Sequence, residues 1–169
     1  MKSDLEAEFA DFVSAVSPRL YRAAYGIARD HHHAEDAVQA ALSKAYVRWR
    51  RVVRTEHPEA YVRRMVINEV LSWRRRPSSR ELPSAVLPET PTSSGESAWD
   101  TSDVVWRALA QLAPRQRAVI VLRYYEQLSE AEIAEALGVR PGTVKSQASA
   151  AMRHLRRALY EKTMEGARP

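Results

Sequence analysis

No cysteine occurs among the 169 residues, which excludes disulfides, thiol catalysis, thiolate metal sites and direct thiol redox sensing. A reducing cytoplasm suits such a chain. Long apolar runs are missing too. Nothing approaches the ~20 residues that a membrane span needs, and membrane insertion is not expected. The opening stretch MKSDLEAEFADF is acidic and amphipathic, unlike a signal peptide. There is no glycine-rich phosphate loop, no nucleophile elbow and no HExxH, so enzyme chemistry is not expected. His31, His32 and His33 stand near Glu35 and Asp36, but adjacent side chains at a helix start diverge and cannot share one ion in good geometry. They read as a solvated turn, and neither metal nor cofactor is expected. Strand patterns and repeats are absent, and no sizeable C-terminal extension is expected to regulate the chain in cis.

Present instead are 45% apolar residues, enough to fill cores, and 28% charged residues with a formal net charge of +5. The charge is unevenly spread. Residues 1–40 hold four basic and seven acidic groups, and residues 44–80 hold eleven basic and three acidic. Residues 81–106 hold five acidic groups and no basic one, whereas 107–169 hold eleven basic and six acidic. Two basic blocks separated by an acidic one fit two contacts with a polyanion, or two solvated helix faces.

The composition breaks once, at PSSRELPSAVLPETPTSSGESA, rich in Pro, Ser and Thr, which marks a linker. The division is therefore 1–76, a linker over 77–100, and 101–169. On both sides the pattern is helical, giving an all-α fold of two small lobes. Leu5, Phe9, Phe12, Val13 and Val16 form one apolar stripe. Ser17-Pro18 predicts the start of a second helix carrying Leu20, Ala24 and Ile27. A third runs from about His33 to Arg51, with Val38, Ala41, Leu42, Ala45 and Trp49 inward. Pro58 starts a fourth, with Val62, Met65, Val66 and Trp73 at helical spacing and three arginines at its end. Past the linker, Ser102-Asp103, Pro114 and Ser129 with Glu132 each open a shorter helix, the last through a capping box. A final helix spans about Pro141 to Lys162.

The most informative stretch is AEALGVRPGTVKS, residues 134–146. Ile133, Ala134 and Leu137 bury one face of a short helix, Gly138 supplies a left-handed C-cap, and Val139 plugs the corner. Pro141 then opens a second helix with Val144, Ala148, Met152, Leu155 and Leu159 inward. This is helix-turn-helix geometry, in which the second helix enters a major groove; the plainer reading is a helical hairpin within a bundle. Six basic residues against one acidic in 140–162 favour DNA. The outward side offers Thr143, Lys145, Ser146, Gln147, Ser149 and Arg153. Lys and Arg pair with guanine, Gln with adenine, and Ser or Thr with phosphate.

LAPRQRAVIVLRYYEQLSEAEIAEALGVRPGTVKS resembles region 4 of bacterial RNA polymerase sigma factors of the extracytoplasmic-function group. HAEDAVQAAL, followed by EAYVRRMVINEVLSWRRR, resembles region 2 of the same group, in the same order. The likeness covers about residues 5–160. It implies a factor that binds core RNA polymerase through its β and β′ subunits, recognises the −10 and −35 promoter elements and helps to open the DNA. HAEDAVQ sets Asp36, Gln39 and Ser43 along one polar face opposite Val38 and Leu42, which reads either as a solvated face with an acidic first turn or, by the resemblance, as the face that docks on the polymerase, with Glu35, Asp36, Gln39 and Ser43 as contacts. Arg63, Arg64, Arg74, Arg75 and Arg76 would bind −10 phosphates, with affinity that falls as salt rises, and Asn68 aligns with a DNA-contacting asparagine. The loop VVRTEHPE would hold a flipped base. Tyr61 would either stack on DNA or enter the core; Trp49 and Trp73 fit the core. Arg140, Thr143, Lys145, Ser146, Gln147, Ser149 and Arg153 would meet the −35 element.

The 24-residue linker spans about 27 Å as a flexible coil and about 80 Å extended. Promoter boxes one and a half to two turns apart lie roughly 50–70 Å from each other, so the linker bridges them only when extended. Arg140 stands where the family often has a capping residue, and Ala150 where it often has Arg. An anti-sigma protein is a further partner the resemblance raises. The rival reading is a stand-alone LuxR-type regulator, which explains residues 101–162 but neither HAEDAVQ nor the first basic block.

Overall fold

The computed structural model describes residues 2–73 and 103–166. The linker 77–100, the arginines at 74–76 and the Ser102 cap lie outside the described residues, as does the Trp73 side chain. No strand occurs among the described residues. The order is α1 (Lys2–Ala28), α2 (His31–Val47), α3 (Trp49–Val52) and α4 (Pro58–Trp73), then α5 (Asp103–Ala110), α6 (Pro114–Ile120), α7 (Glu130–Leu137) and α8 (Pro141–Gly166).

The first two expected helices are one. Pro18 lies inside α1 although an interior proline costs ~3 kcal/mol. The apolar stripe explains this, because it continues without a change of phase through Val16, Leu20, Ala24 and Ile27, all buried. Each large aliphatic side chain buried there contributes ~1.5–3 kcal/mol, so packing outweighs one lost hydrogen bond. α1 ends at Arg29, which takes a left-handed φ of 59° while its N–H reaches the Tyr25 carbonyl at 2.8 Å. Asp30 then caps α2, its carboxylate accepting from the His33 N–H at 2.7 Å. Two residues therefore turn the chain back, and α2 packs along α1.

The third expected helix breaks at Arg48, leaving the short α3. In the second half, Ser129 and Glu132 form the expected capping box and Gly138 takes φ 63°, ψ 39°. α6 departs from expectation. It widens at Val121–Tyr125 into a π turn, with the Glu126 N–H on the Val121 carbonyl at 3.0 Å.

The two halves pack together. α1 lies against α6 and the π turn, and α4 lies against α7. One apolar core runs from Leu20, Val52 and Val66 in the first half to Val119, Ile133 and Val144 in the second. A smaller one joins α5, α6 and α8 through Leu109, Leu112, Ile120 and Leu155. Arg117, only 2% exposed, spans the seam. Its Nε donates to the Ile27 carbonyl at 2.6 Å and its Nη1 to the Ala110 carbonyl at 3.2 Å. Both acceptors lie at helix C-termini, where carbonyls lack intrahelical partners and cations are favoured.

Candidate functional site

Three surfaces stand out, each prepared by the helices beneath it. The first is a groove of about 710 Å³ between α1 and α2. Phe9, Val13, Ser17 and Tyr21, spaced one turn apart on α1, form one wall; Glu35, Gln39 and Ser43, with Val38, Leu42 and Tyr46, form the other. Val38 and Leu42 therefore border the groove beside the polar residues rather than opposite them, a correction that follows from packing two helices closely along one seam. Asp36 is exposed on the same helix but does not line the groove.

Tyr21 of the groove wall is held from behind by an aromatic cluster that the sequence does not announce. The His31 ring stacks on Tyr25 at 4.2 Å, and its Nδ1 bonds the Tyr21 hydroxyl. Burial, aided by the Glu35 carboxylate, raises the Tyr21 hydroxyl above its usual range. His33 is buried. The three histidines are thus not one solvated turn, because the Asp30 cap draws the helix start inward. The signal available was the i,i+4 pair Tyr21 and Tyr25 facing a histidine just past the turn. Among the described residues, no group of three or more His, Cys, Asp or Glu side chains is arranged to hold a metal.

The second surface is α4. Arg64 and Asn68, four residues apart, share its exposed side. Arg63 is turned away, its side chain 11% exposed and paired with Glu59 at 3.5 Å and Glu126 at 3.8 Å. Lys44 of α2 pairs with Glu69 beside Asn68. Tyr61 is half-buried and packs against the core, and Trp49 is buried against Phe9 and Phe12. Before α4, Arg54, Glu56 and His57 of the expected base-holding loop are exposed, while the Thr55 hydroxyl donates to the Val52 carbonyl at 2.7 Å.

The third surface is α8. Val144, Ala148 and Leu155 are buried, which fixes its rotation and leaves Thr143, Lys145, Ser146, Ser149 and Arg153 exposed and Gln147 half-buried. Arg140 is exposed at the start, its carbonyl accepting from the Thr143 and Val144 N–H groups. The Ser146 hydroxyl donates to the Thr143 carbonyl at 3.0 Å. The Gly138 turn aims the helix: the Val139 N–H meets the Ala134 carbonyl at 3.0 Å, closing α7 before α8 begins. Arg156 and Arg157 extend the exposed basic side.

A helical groove beside one exposed polar helix, with a helix-turn-helix in the other half, defines a two-part DNA-binding protein. Residues 12–80 match the family description Sigma-70 region 2, and residues 102–155 match Sigma-70, region 4. The chain is 35% identical over 158 residues to the RNA polymerase sigma-E factor of Streptomyces coelicolor, covering 94% of this chain and 89% of that protein. It is also 35% identical over 147 residues to the ECF RNA polymerase sigma factor SigL of Mycobacterium tuberculosis, covering 84% and 83%. Among solved structures, the sigma factor RpoE in complex with the anti-sigma factor NepR from Bartonella quintana aligns with a TM-score of 0.72 and 26% identity, over 90% of this chain and 97% of that one. The chain belongs to the RNA polymerase sigma factors of the ECF group. A stand-alone LuxR-type regulator is not supported, since it leaves the match over residues 12–80 without a role.

Proposed function

We propose that the α1–α2 groove is the polymerase-docking surface, with Glu35, Gln39 and Ser43 as contacts and Asp36 at its margin. α4 would then read the −10 element through Asn68, Arg64 and the basic residues that follow it, and α8 would read the −35 element. The observation that carries this is the arrangement in one chain: an apolar groove with polar walls in the half matching region 2, and an exposed polar and basic helix in the half matching region 4. Such a protein performs no bond-making chemistry of its own; it positions a polymerase and stabilises opened DNA. Residues 1–76 and 101–169 would be the two working parts and 77–100 the connector. The cytoplasm is the proposed compartment, consistent with the finding that no described helix is long and apolar enough to cross a membrane. The solved relative is bound to an anti-sigma factor, which supports such a partner here.

The test is run-off transcription with purified core polymerase. The chain should confer initiation at a defined promoter, and Asp36→Arg with Gln39→Ala should abolish core binding while leaving helicity unchanged. Native core affinity in that stable double variant would remove the groove from the docking role.

A further inference from the structure

The seam between the halves holds a ring of four charges. Arg19 of α1 reaches Glu59 of α4 at 3.2 Å and Glu126 at 3.0 Å. Arg63, also of α4, approaches the same two carboxylates at 3.5 and 3.8 Å. Three members belong to the first half; Glu126 alone comes from the second. Its side chain is 1% exposed, whereas that of Arg19 is 48% exposed. The π turn sets this up, because the extra residue in Val121–Tyr125 brings Glu126 inward at the helix end while Tyr124 stays exposed.

We infer that Glu126 stands in for a promoter phosphate at Arg63, so that the packed halves mask this one arginine of α4 while Arg64 and Asn68 stay exposed. The inference rests on α4 being the −10 reader. A carboxylate and a phosphodiester both offer acceptor oxygens to a guanidinium fork, and one oxygen of Glu126, Oε2, faces both arginines. The ring is internally neutral, so Arg63 presents little net charge to DNA while it is closed. α7 lies on α4 as well, covering part of the same helix. Beside the shared apolar core, two polar contacts flank the ring: the Arg117 bond to Ile27, and the Arg29 guanidinium 4.5 Å from the Trp106 ring. Boxes roughly 50–70 Å apart cannot be read by halves in contact, so the seam opens before both are engaged. Exchange of Glu126 for phosphate at Arg63 is the step at which DNA competes with the protein's own carboxylate.

The absence of cysteine allows a direct test on the full chain. Ser14→Cys and Glu135→Cys, both exposed and outside the three surfaces, carry a donor and an acceptor dye. In the free protein, Glu126→Gln should move molecules from high to low energy transfer. Arg19→Gln, a substitution at a half-exposed side chain, should do the same and keeps the test alive if Glu126→Gln fails to fold. If about nine molecules in ten are closed, opening raises apparent affinity for an oligothymidylate strand about tenfold. Adding Arg63→Ala should cancel that gain. Unchanged energy transfer in both folded variants overturns the latch. Opening without a gain in strand affinity, or a gain that survives Arg63→Ala, overturns the masking of Arg63. Loss of the −10 assignment would appear separately, as normal promoter opening by holoenzyme carrying Arg63→Ala with Asn68→Ala.

Discussion

Replacing Gly138 by alanine isolates the backbone energetics of the turn that aims α8. The residue sits at φ 63°, ψ 39°, and a Cβ built there meets nothing within 4 Å. No steric clash therefore enters, and the whole effect is conformational. An L-residue other than Gly or Asn loses ~1–2 kcal/mol in this region, while alanine restricts the unfolded chain and returns up to ~1 kcal/mol. The net expectation is a loss of about 1 kcal/mol, or ~2–4 °C in melting temperature for a chain of this size. Gly142 provides the control. It too has open space around its Cβ position, but it lies in the first turn of α8 without a positive φ. Gly142→Ala should stabilise by up to ~1 kcal/mol through helix propensity. Urea denaturation of the two full-length variants, followed by circular dichroism, should give shifts of opposite sign, with Gly138→Asn falling between wild type and Gly138→Ala. Shifts of the same sign would show that left-handed geometry at Gly138 is not what governs this turn.

On the −35 side, Gln147→Ala and Lys145→Ala should each cost ~1–3 kcal/mol and relax preference at one base, whereas Arg153→Ala should weaken all sequences equally. Binding to a panel of −35 variants at fixed salt decides it, and an unchanged preference profile for both refutes the assignment. For promoter opening, Asn68→Ala should reduce permanganate reactivity near the start site more than it reduces core binding, and Arg64→Ala should also flatten the salt dependence; wild-type reactivity and slope would contradict this. Glu132 titrates below the usual carboxylate range, held there first by the Ser129 hydroxyl and then by the Ser129 backbone N–H. A depressed folded-state pKa means that its stabilisation is present above the unfolded carboxylate value and fades as pH falls through the lowered one. Protection of the α7 amides, taken relative to the intrinsic exchange rate at each pH, should therefore fall at acid pH in wild type and lose that dependence in Glu132→Gln; equal profiles would show that the capping box does not hold α7.

The local code was readable wherever one residue governs its own neighbourhood. Ser129 with Glu132 announced a capping box, Gly138 a left-handed cap and Pro58 a helix start, and the helices form there. Val144 and Ala148 fixed which side of α8 is buried. Reading failed where a distant partner decides. Ser17-Pro18 has the composition of a helix start, yet the apolar stripe of α1 keeps its phase against α2 and overrides it. That Arg63 faces the Glu59 and Glu126 carboxylates is likewise set by packing, since Glu126 lies 63 residues away in the sequence. The burial of Glu126 was invisible for a further reason, since a 3.6-residue period extrapolated from Val119 and Leu122 does not apply after a π turn.

That widened turn also bears on how the chain should be compared with its kin. A π turn is one residue inserted into an α-helix, so it is an indel hidden inside a regular element. Removing the exposed Arg123 would let the helix close to ordinary spacing, moving each later residue about 100° around the axis relative to α6. Glu126 would leave the seam and a neighbour would take its slot. In an alignment, a one-residue gap falling within 121–125 is therefore not a neutral slip of the loop that follows. It exchanges the residue facing Arg19 and Arg63, and insertion or loss of a single codon there is a short genetic route to strengthening or dissolving the contact between the two halves.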